Sequence, residues 1–199
     1  MKTGVILSAM VTRFLDFARP LHADLAPKAI PEILDRALRD VAQLWKGAKV
    51  RIEKNYQANL PPVPLDETLA EQAFVNIIQN AYDAMGTNGV ELSVKAHGAR
   101  QSIRNAEAVD GVEVRIADTG PGIPAELREQ IFNPFVTTKK TGVGLGLSIV
   151  SKIVDGHHGS IRVESSSNGS GPTGTCFVMF FPAVDEKDAA SANAHLVIS

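Results

Sequence analysis

The chain has 199 residues, 44% hydrophobic and 21% charged, a balance that excludes a wholly disordered protein. Its 20 Lys and Arg against 22 Asp and Glu leave a net charge of −2, with no basic excess for nucleic acid and no polybasic run for anionic lipid. Cys176 is the single cysteine, which excludes an intrachain disulfide, and five scattered histidines add no zinc-ligand spacing. One domain with at most an appendage is expected, in a reducing, cytoplasmic setting.

The N-terminus carries a lysine and a short apolar run, as a signal peptide does, but Arg13 and Asp16 follow at once. Apolar residues instead continue at helical spacing: Ile6, Leu7, Met10, Val11, Phe14, Leu15 and Phe17. This predicts an amphipathic helix ending before Pro20. No run approaches the ~20 apolar residues of a transmembrane helix, so no membrane segment is expected.

A second helix is predicted over residues 29–46, with Ile33, Leu34, Ala37, Leu38, Val41 and Leu44 on one face. Residues 50–56 alternate as a strand, and the prolines of 60–64 break regular structure. Asp66 stands at an N-cap position before a long helix through Met85. Residues 90–96 and 112–117 alternate as strands, and 98–111 between them reads as a long hairpin loop. A glycine-rich stretch, 118–146, holds a short helix near 124–131 and leads into a helix over 145–154. Strands are predicted at 160–164 and 175–181, separated by a flexible 165–174, and the tail from 184 reads as disordered. The order of elements gives an α+β fold, one mixed sheet with helices on one face.

Polar chemistry concentrates at four places. Asn76, Asn80 and Asp83 lie four and three residues apart, on one face of the long helix. Asparagine is a poor helix-interior residue; two on one face suit either a solvated face or an amide oxygen that ligates a hard cation. Asp118-Thr119-Gly120-Pro121-Gly122-Ile123 follows a strand directly. It is either a strand-ending turn or a close backbone approach to a ligand, with Asp118 accepting from an amino group. Gly142-Val143-Gly144-Leu145-Gly146-Leu147 opens a helix, where backbone N–H groups and the dipole favour phosphate. It has neither the dinucleotide nor the Walker A spacing. Between them, Phe132 and Phe135 flank Pro134 ahead of Thr137, Thr138 and Lys139, either a buried aromatic pair or a hinged flap that brings Lys139 near a phosphate.

In this order and spacing the pieces resemble the ATP-binding catalytic domain of bacterial sensor histidine kinases, over roughly residues 30–183. Asn76-Ile77-Ile78-Gln79-Asn80-Ala81 resembles that family's N box, and Asp118-x-Gly120-x-Gly122 its first glycine box. Phe132-x-Pro134-Phe135 with Thr137-Thr138-Lys139 resembles the F box, Gly142-x-Gly144-x-Gly146 the second glycine box, and Gly174-Thr175-x-Phe177 the last motif. The flavour is that of the nitrogen-regulatory kinases. The resemblance implies a Bergerat-type α/β sandwich of the GHKL superfamily, with ATP and Mg²⁺ between the long helix and a lid.

It also implies roles. Asn80 coordinates the metal, with Asn76 and Asp83 beside the nucleotide. Asp118 accepts from the adenine amine, with Gly120, Gly122, Ile123 and Thr175 shaping the base pocket. Phe135, Thr138 and Lys139 belong to the lid, and Gly142, Gly144, Leu145, Gly146 and Leu147 wrap the triphosphate. Asn76 stands where related ATPases carry a water-activating glutamate, and a neutral amide cannot take that proton. Asn76, Asn80 and Lys139 are therefore expected to serve phosphoryl transfer to a protein histidine rather than hydrolysis.

Phe14-Leu15-Asp16-Phe17-Ala18-Arg19-Pro20 resembles the end of the second helix of the dimerisation and phosphotransfer hairpin. The implied organisation is a hairpin remnant at 1–19, the catalytic domain at 20–183 and a flexible tail at 184–199. The acceptor histidine would lie on a dimerisation hairpin not present in this chain, so this chain alone is not expected to autophosphorylate. A response regulator would receive the phosphate, and the full-length kinase would be a homodimer. His22, His97 and His195 read as loop or tail residues, and His157 with His158 as a helix-to-strand turn. The alternatives are an ATPase of the same superfamily and a non-catalytic nucleotide-binding interaction module.

Overall fold

The computed structural model describes residues 21–86, 91–103, 107–139, 143–166 and 173–183. The predicted helix at 1–19, the tail at 184–199 and Gly142 lie outside the described residues. Strand β1 (Ala26–Lys28) leads into helix α1 (Ile30–Leu44), followed by β2 (Arg51–Tyr56), β3 (Val63–Leu65) and the long helix α2 (Glu67–Met85). Then come β4 (Glu91–Ser102), β5 (Ala108–Asp118), the short α3 (Ala125–Arg128), α4 (Gly146–Gly156), β6 (Ser160–Ser166) and β7 (Gly174–Pro182). The main sheet has the order β2-β4-β5-β7-β6, mixed because β2 runs parallel to β4 while the other pairs are antiparallel. This is the predicted α+β arrangement.

Strand alternation sends two chemistries to two faces. Leu92, Val94, Val112, Val114, Ile116, Phe177, Met179 and Phe181 form one core with α1, α2 and α4. Phe74 of α2 meets Phe181 edge-on at 6.1 Å. Large side chains buried to this degree contribute ~1.5–3 kcal/mol each. The opposite face carries Glu113, only 6% exposed, which Arg115, Arg162 and Gln101 hydrogen-bond. Burial pushes the Glu113 carboxyl up, but Arg162 and Arg115 outweigh it and hold the group below the usual carboxylate range.

The structure corrects four expectations. The proline-broken segment 60–64 contributes Val63 and Pro64 to β3, which pairs with the unpredicted β1 and sets Pro64 opposite Pro27. Proline argues against a central strand, but a two-stranded ribbon tolerates it. The loop expected at 98–111 is mostly ladder, paired out to Ser102 opposite Ala108, so His97 is a strand residue 3.6 Å from Glu113. Ser165, Ser166 and Gly174, expected in a flexible segment, are strand residues, since Ser165 and Ser166 pair with Thr175 and Gly174. Leu44, placed by periodicity on the buried face of α1, is 71% exposed as the helix's last residue, and Trp45 packs on Tyr82 beyond it.

Candidate functional site

Helix α2 forms where the sequence predicts it. Asp66 caps it, its side chain accepting the Leu69 N–H at 3.0 Å. Ala70, Ala73, Phe74, Ile77, Ile78, Ala81, Tyr82 and Met85 are buried, so helical periodicity leaves Asn76, Asn80 and Asp83 on the remaining face. Asn76 is turned towards the start of α4: a Cβ at Gly146 would lie 3.8 Å from Asn76 Oδ1. The first turn of α4 carries no acidic residue, and its N-cap residue, the buried Leu145, makes no side-chain cap. The first-turn N–H groups and the positive end of the dipole therefore lie beside Asn76. Leu147, half-buried, packs back on the core.

A hydrogen bond far from any motif fixes the two helices relative to one another. The Asp66 backbone N–H donates to His157 Nε2 at 2.9 Å. His157 Nδ1 lies 2.7 Å from the Ile153 carbonyl, and the ring, 1% exposed, stands edge-on to Phe181. Accepting at Nε2 and donating at Nδ1 requires the neutral ring with its proton on Nδ1. The turn reading of His157 from sequence is therefore right about position but misses the coupling, because nothing local marks a partner 91 residues away.

Asp118 ends β5 at 8% exposure, on the same side of the sheet as the helices. Its Oδ1 accepts the Gly120 N–H at 2.8 Å. Burial pushes its carboxyl above the usual aspartate value, and the backbone N–H groups of Gly120 and Thr175 offset only part of that.

Ser165 ties the surrounding strands together. Its Oγ accepts the Ile123 N–H at 2.8 Å, donates to the Gly174 carbonyl at 2.8 Å and lies 3.2 Å from Thr175 Oγ1. Sequence reasoning missed this residue because it assigned 165 to a flexible loop. Gly122 has φ +78° and packs so closely that a Cβ would come 2.2 Å from the Ser166 carbonyl oxygen. Clefts of about 290 and 400 Å³ open beside Asp118, but Cys176, Glu164 and Arg115 line them from the charged face of the sheet.

The segment after α3 returns across the open end of the site. Phe132, half-buried, sits edge-on to Phe177 at 6.4 Å, whereas Phe135 is 59% exposed, so the two do not form a buried pair. The Phe135 N–H donates to the Gly144 carbonyl at 2.9 Å, with φ +67° at Phe135 and +75° at Gly144. A Cβ at Gly144 would meet the Phe135 carbonyl carbon at 2.5 Å. The Lys139 N–H donates to Thr137 Oγ1, and Thr138 is exposed. Lys139 Nζ donates to Asn80 Oδ1 at 2.8 Å and pairs with the Asp83 carboxylate. The described residues among those singled out from sequence thus gather between α2, the start of α4 and the ends of β5 and β7. Together they offer an amide and carboxylate row, a helix N-terminus and a recessed acceptor.

Residues 65–185 match a family described as the histidine kinase-, DNA gyrase B- and HSP90-like ATPases. The chain is 36% identical over 177 residues to the C4-dicarboxylate transport sensor protein DctB of Rhizobium meliloti, covering 87% of this chain and 26% of that one. It is 32% identical over 181 residues to the sensory histidine kinase/phosphatase NtrB of the same organism, covering 88% and 46%. The chain thus spans less than half of either relative. Among solved structures, the catalytic domain of the histidine kinase ThkA superposes with a TM-score of 0.65 at 30% identity, over 82% of this chain and 99% of that one. ThkA in complex with the response regulator protein TrrA gives 0.71 at 26% identity, over 94% and 50%.

Proposed function

Since this chain belongs to the family of histidine kinase-, DNA gyrase B- and HSP90-like ATPases, we propose that it is the Mg-ATP-binding catalytic domain of a sensor histidine kinase, passing the ATP γ-phosphate to a histidine on a dimerisation hairpin. The observation that carries the reading is the face of α2. It presents an amide and not a carboxylate opposite the N-terminus of α4, where a Cβ at Gly146 would lie 3.8 Å from Asn76 Oδ1. An amide positions and neutralises but cannot deprotonate water, so the site suits transfer to a protein nucleophile.

The residues fit both the nucleotide and the metal. For the nucleotide, Asp118 offers a recessed acceptor to the adenine amine, and Gly120, Gly122, Ile123 and Thr175 form the wall around it. The N-terminus of α4, with Gly144, Leu145, Gly146 and Leu147, receives the phosphates. Phe135 and Thr138 lie on the covering segment, and Gly142 completes the glycine run. For the metal, Asn80 Oδ1 is a hard oxygen that already accepts from a cationic head, Lys139, beside the Asp83 carboxylate. Bound magnesium would supply neutralisation of the phosphate charge. Asn80 would hold it, Asn76 would orient the phosphate end, and Lys139 would add positive charge there.

The domain boundary near residue 20, the cytoplasmic setting, a homodimeric full-length kinase and a response regulator as onward acceptor belong to the same proposal. NtrB as a named relative and the ThkA–TrrA complex support it.

The test has two stages. Calorimetric titration of ATP into the chain, with and without Mg²⁺, should show binding that weakens without the metal and in Asn80→Ala. Radiolabelled ATP should then yield acid-labile phosphate on an added histidine-bearing hairpin. Sustained phosphate release without transfer would favour an ATPase instead. Binding without either activity would favour a nucleotide-sensing interaction module, and no binding by folded protein would defeat the reading.

A further inference from the structure

Lys139 makes an unusual pair of contacts for a residue meant to meet phosphate. Its ammonium bridges Asn80 Oδ1, at 2.8 Å, and the Asp83 carboxylate, partners 59 and 56 residues away in sequence. One amide oxygen and one carboxylate, three residues apart on a helix, form the donor set that a hard divalent cation takes. An ammonium and a divalent cation cannot share that position, because like charges within a few ångströms repel. Resting on the nucleotide-site reading above, we propose that Lys139 is an internal surrogate for the divalent cation. In the nucleotide-free protein it occupies the cation position on α2 and fastens residues 132–139 to that helix; it gives way when a metal-bound triphosphate enters.

The surroundings fit a latch. The rest of the segment is held by the Phe132 contact with Phe177 and the Phe135 hydrogen bond to Gly144, both nearer the sheet and α4. Lys139 ties the far end of the segment to the asparagine row. Its side chain is 41% exposed and that of Asp83 39%, so the pair is open to salt and exchangeable rather than locked. Displacement leaves Asn80 free for the metal while Lys139, carried on the same segment, turns to the phosphates. Metal and nucleotide must then arrive together, since free metal meets an occupied site.

The experiment compares wild type, Lys139→Met and Asp83→Asn. Hydrogen exchange is read by mass spectrometry on the 132–139 peptide without nucleotide, in about 50 and about 500 mM KCl. Exchange should rise about two- to fivefold in both variants at low salt, the range for an exposed ion pair, while α2 peptides stay unchanged. High salt should bring wild type to the variants' level. Without nucleotide, the Mg²⁺ concentration for half-saturation should fall severalfold in Lys139→Met because the competing ammonium is gone. Unchanged exchange in both variants, or a half-saturation that stays or rises, overturns the latch in a protein that binds AMPPNP. Failure of wild type to bind AMPPNP overturns the nucleotide reading and this proposal with it.

Discussion

Replacing Asp118 by asparagine tests the base-recognition reading most directly, because the substitution changes charge and donor pattern without changing shape. One carboxylate oxygen already accepts the Gly120 N–H at 2.8 Å, and the proposal gives the other to the adenine amine. An asparagine has a single acceptor oxygen. If it keeps Gly120, its NH₂ meets the adenine NH₂; if it turns, the buried Gly120 N–H loses its partner. A hydrogen bond to a charged acceptor contributes ~1.5–3 kcal/mol, so ATP affinity should fall about 10–150-fold. Thermal stability should barely change, since removing a charge at 8% exposure relieves desolvation.

Calorimetry gives the loss in affinity, and competition with GTP gives the specificity. Guanine presents an acceptor where adenine presents a donor, so the ATP/GTP ratio should shrink more than a uniform weakening would allow. Acid sensitivity should shift as well. Because burial raises the Asp118 carboxyl, protonation and loss of nucleotide binding in wild type should begin above the ordinary aspartate range, and this component should vanish in Asp118→Asn. A folded Asp118→Asn protein that binds ATP within about threefold of wild type would refute the assignment, that change being below ~0.7 kcal/mol.

Other substitutions probe the frame of the site. His157→Ala leaves the Asp66 N–H and the Ile153 carbonyl without the ring and opens a cavity beside Phe181. Urea unfolding should show a loss of ~2–4 kcal/mol, and a loss under ~1 kcal/mol would mean the helices are fixed by other contacts. Gly144→Ala puts a Cβ 2.5 Å from the Phe135 backbone at φ +75°. Nucleotide affinity should fall at least about tenfold while the core melts within a few degrees of wild type, because the displaced segment lies outside the core. Burial pushes the Asp66 carboxyl up, but the N–H groups of Leu69, Asp24 and Thr68 outweigh this and hold it below the ordinary value. Its contribution is therefore complete above the unfolded pKa, about 4, and is lost as pH falls through the lower folded value. Acid titration followed by circular dichroism should show a shallower decline in Asp66→Asn; an unchanged slope would assign the acid sensitivity elsewhere.

What was legible in the sequence was whatever a short stretch of chain decides for itself. The period of α2 puts Asn76, Asn80 and Asp83 on one face whatever else the protein does, and Asp66 caps the helix through its own neighbour, Leu69. Glycine spacing marked Gly122 and Gly144, whose positive φ values are properties of single residues. The strands of the β4–β5 hairpin were found but cut short, because residues 98–102 and 108–111 pair with each other with little apolar alternation to show it.

Tertiary structure decided the contacts between segments remote in sequence. Leu44 fits the apolar stripe of α1, yet it is 71% exposed at the helix end. Ser165 acquires its role only when β6 lies beside β7 and Ile123 comes within 2.8 Å. The His157 bond to Asp66 and the Lys139 contacts with Asn80 and Asp83 join residues more than 50 positions apart. Periodicity reports which face a side chain takes on its own element. Which partner waits there depends on how the elements pack, and that packing brought a distant lysine onto Asn80 and Asp83.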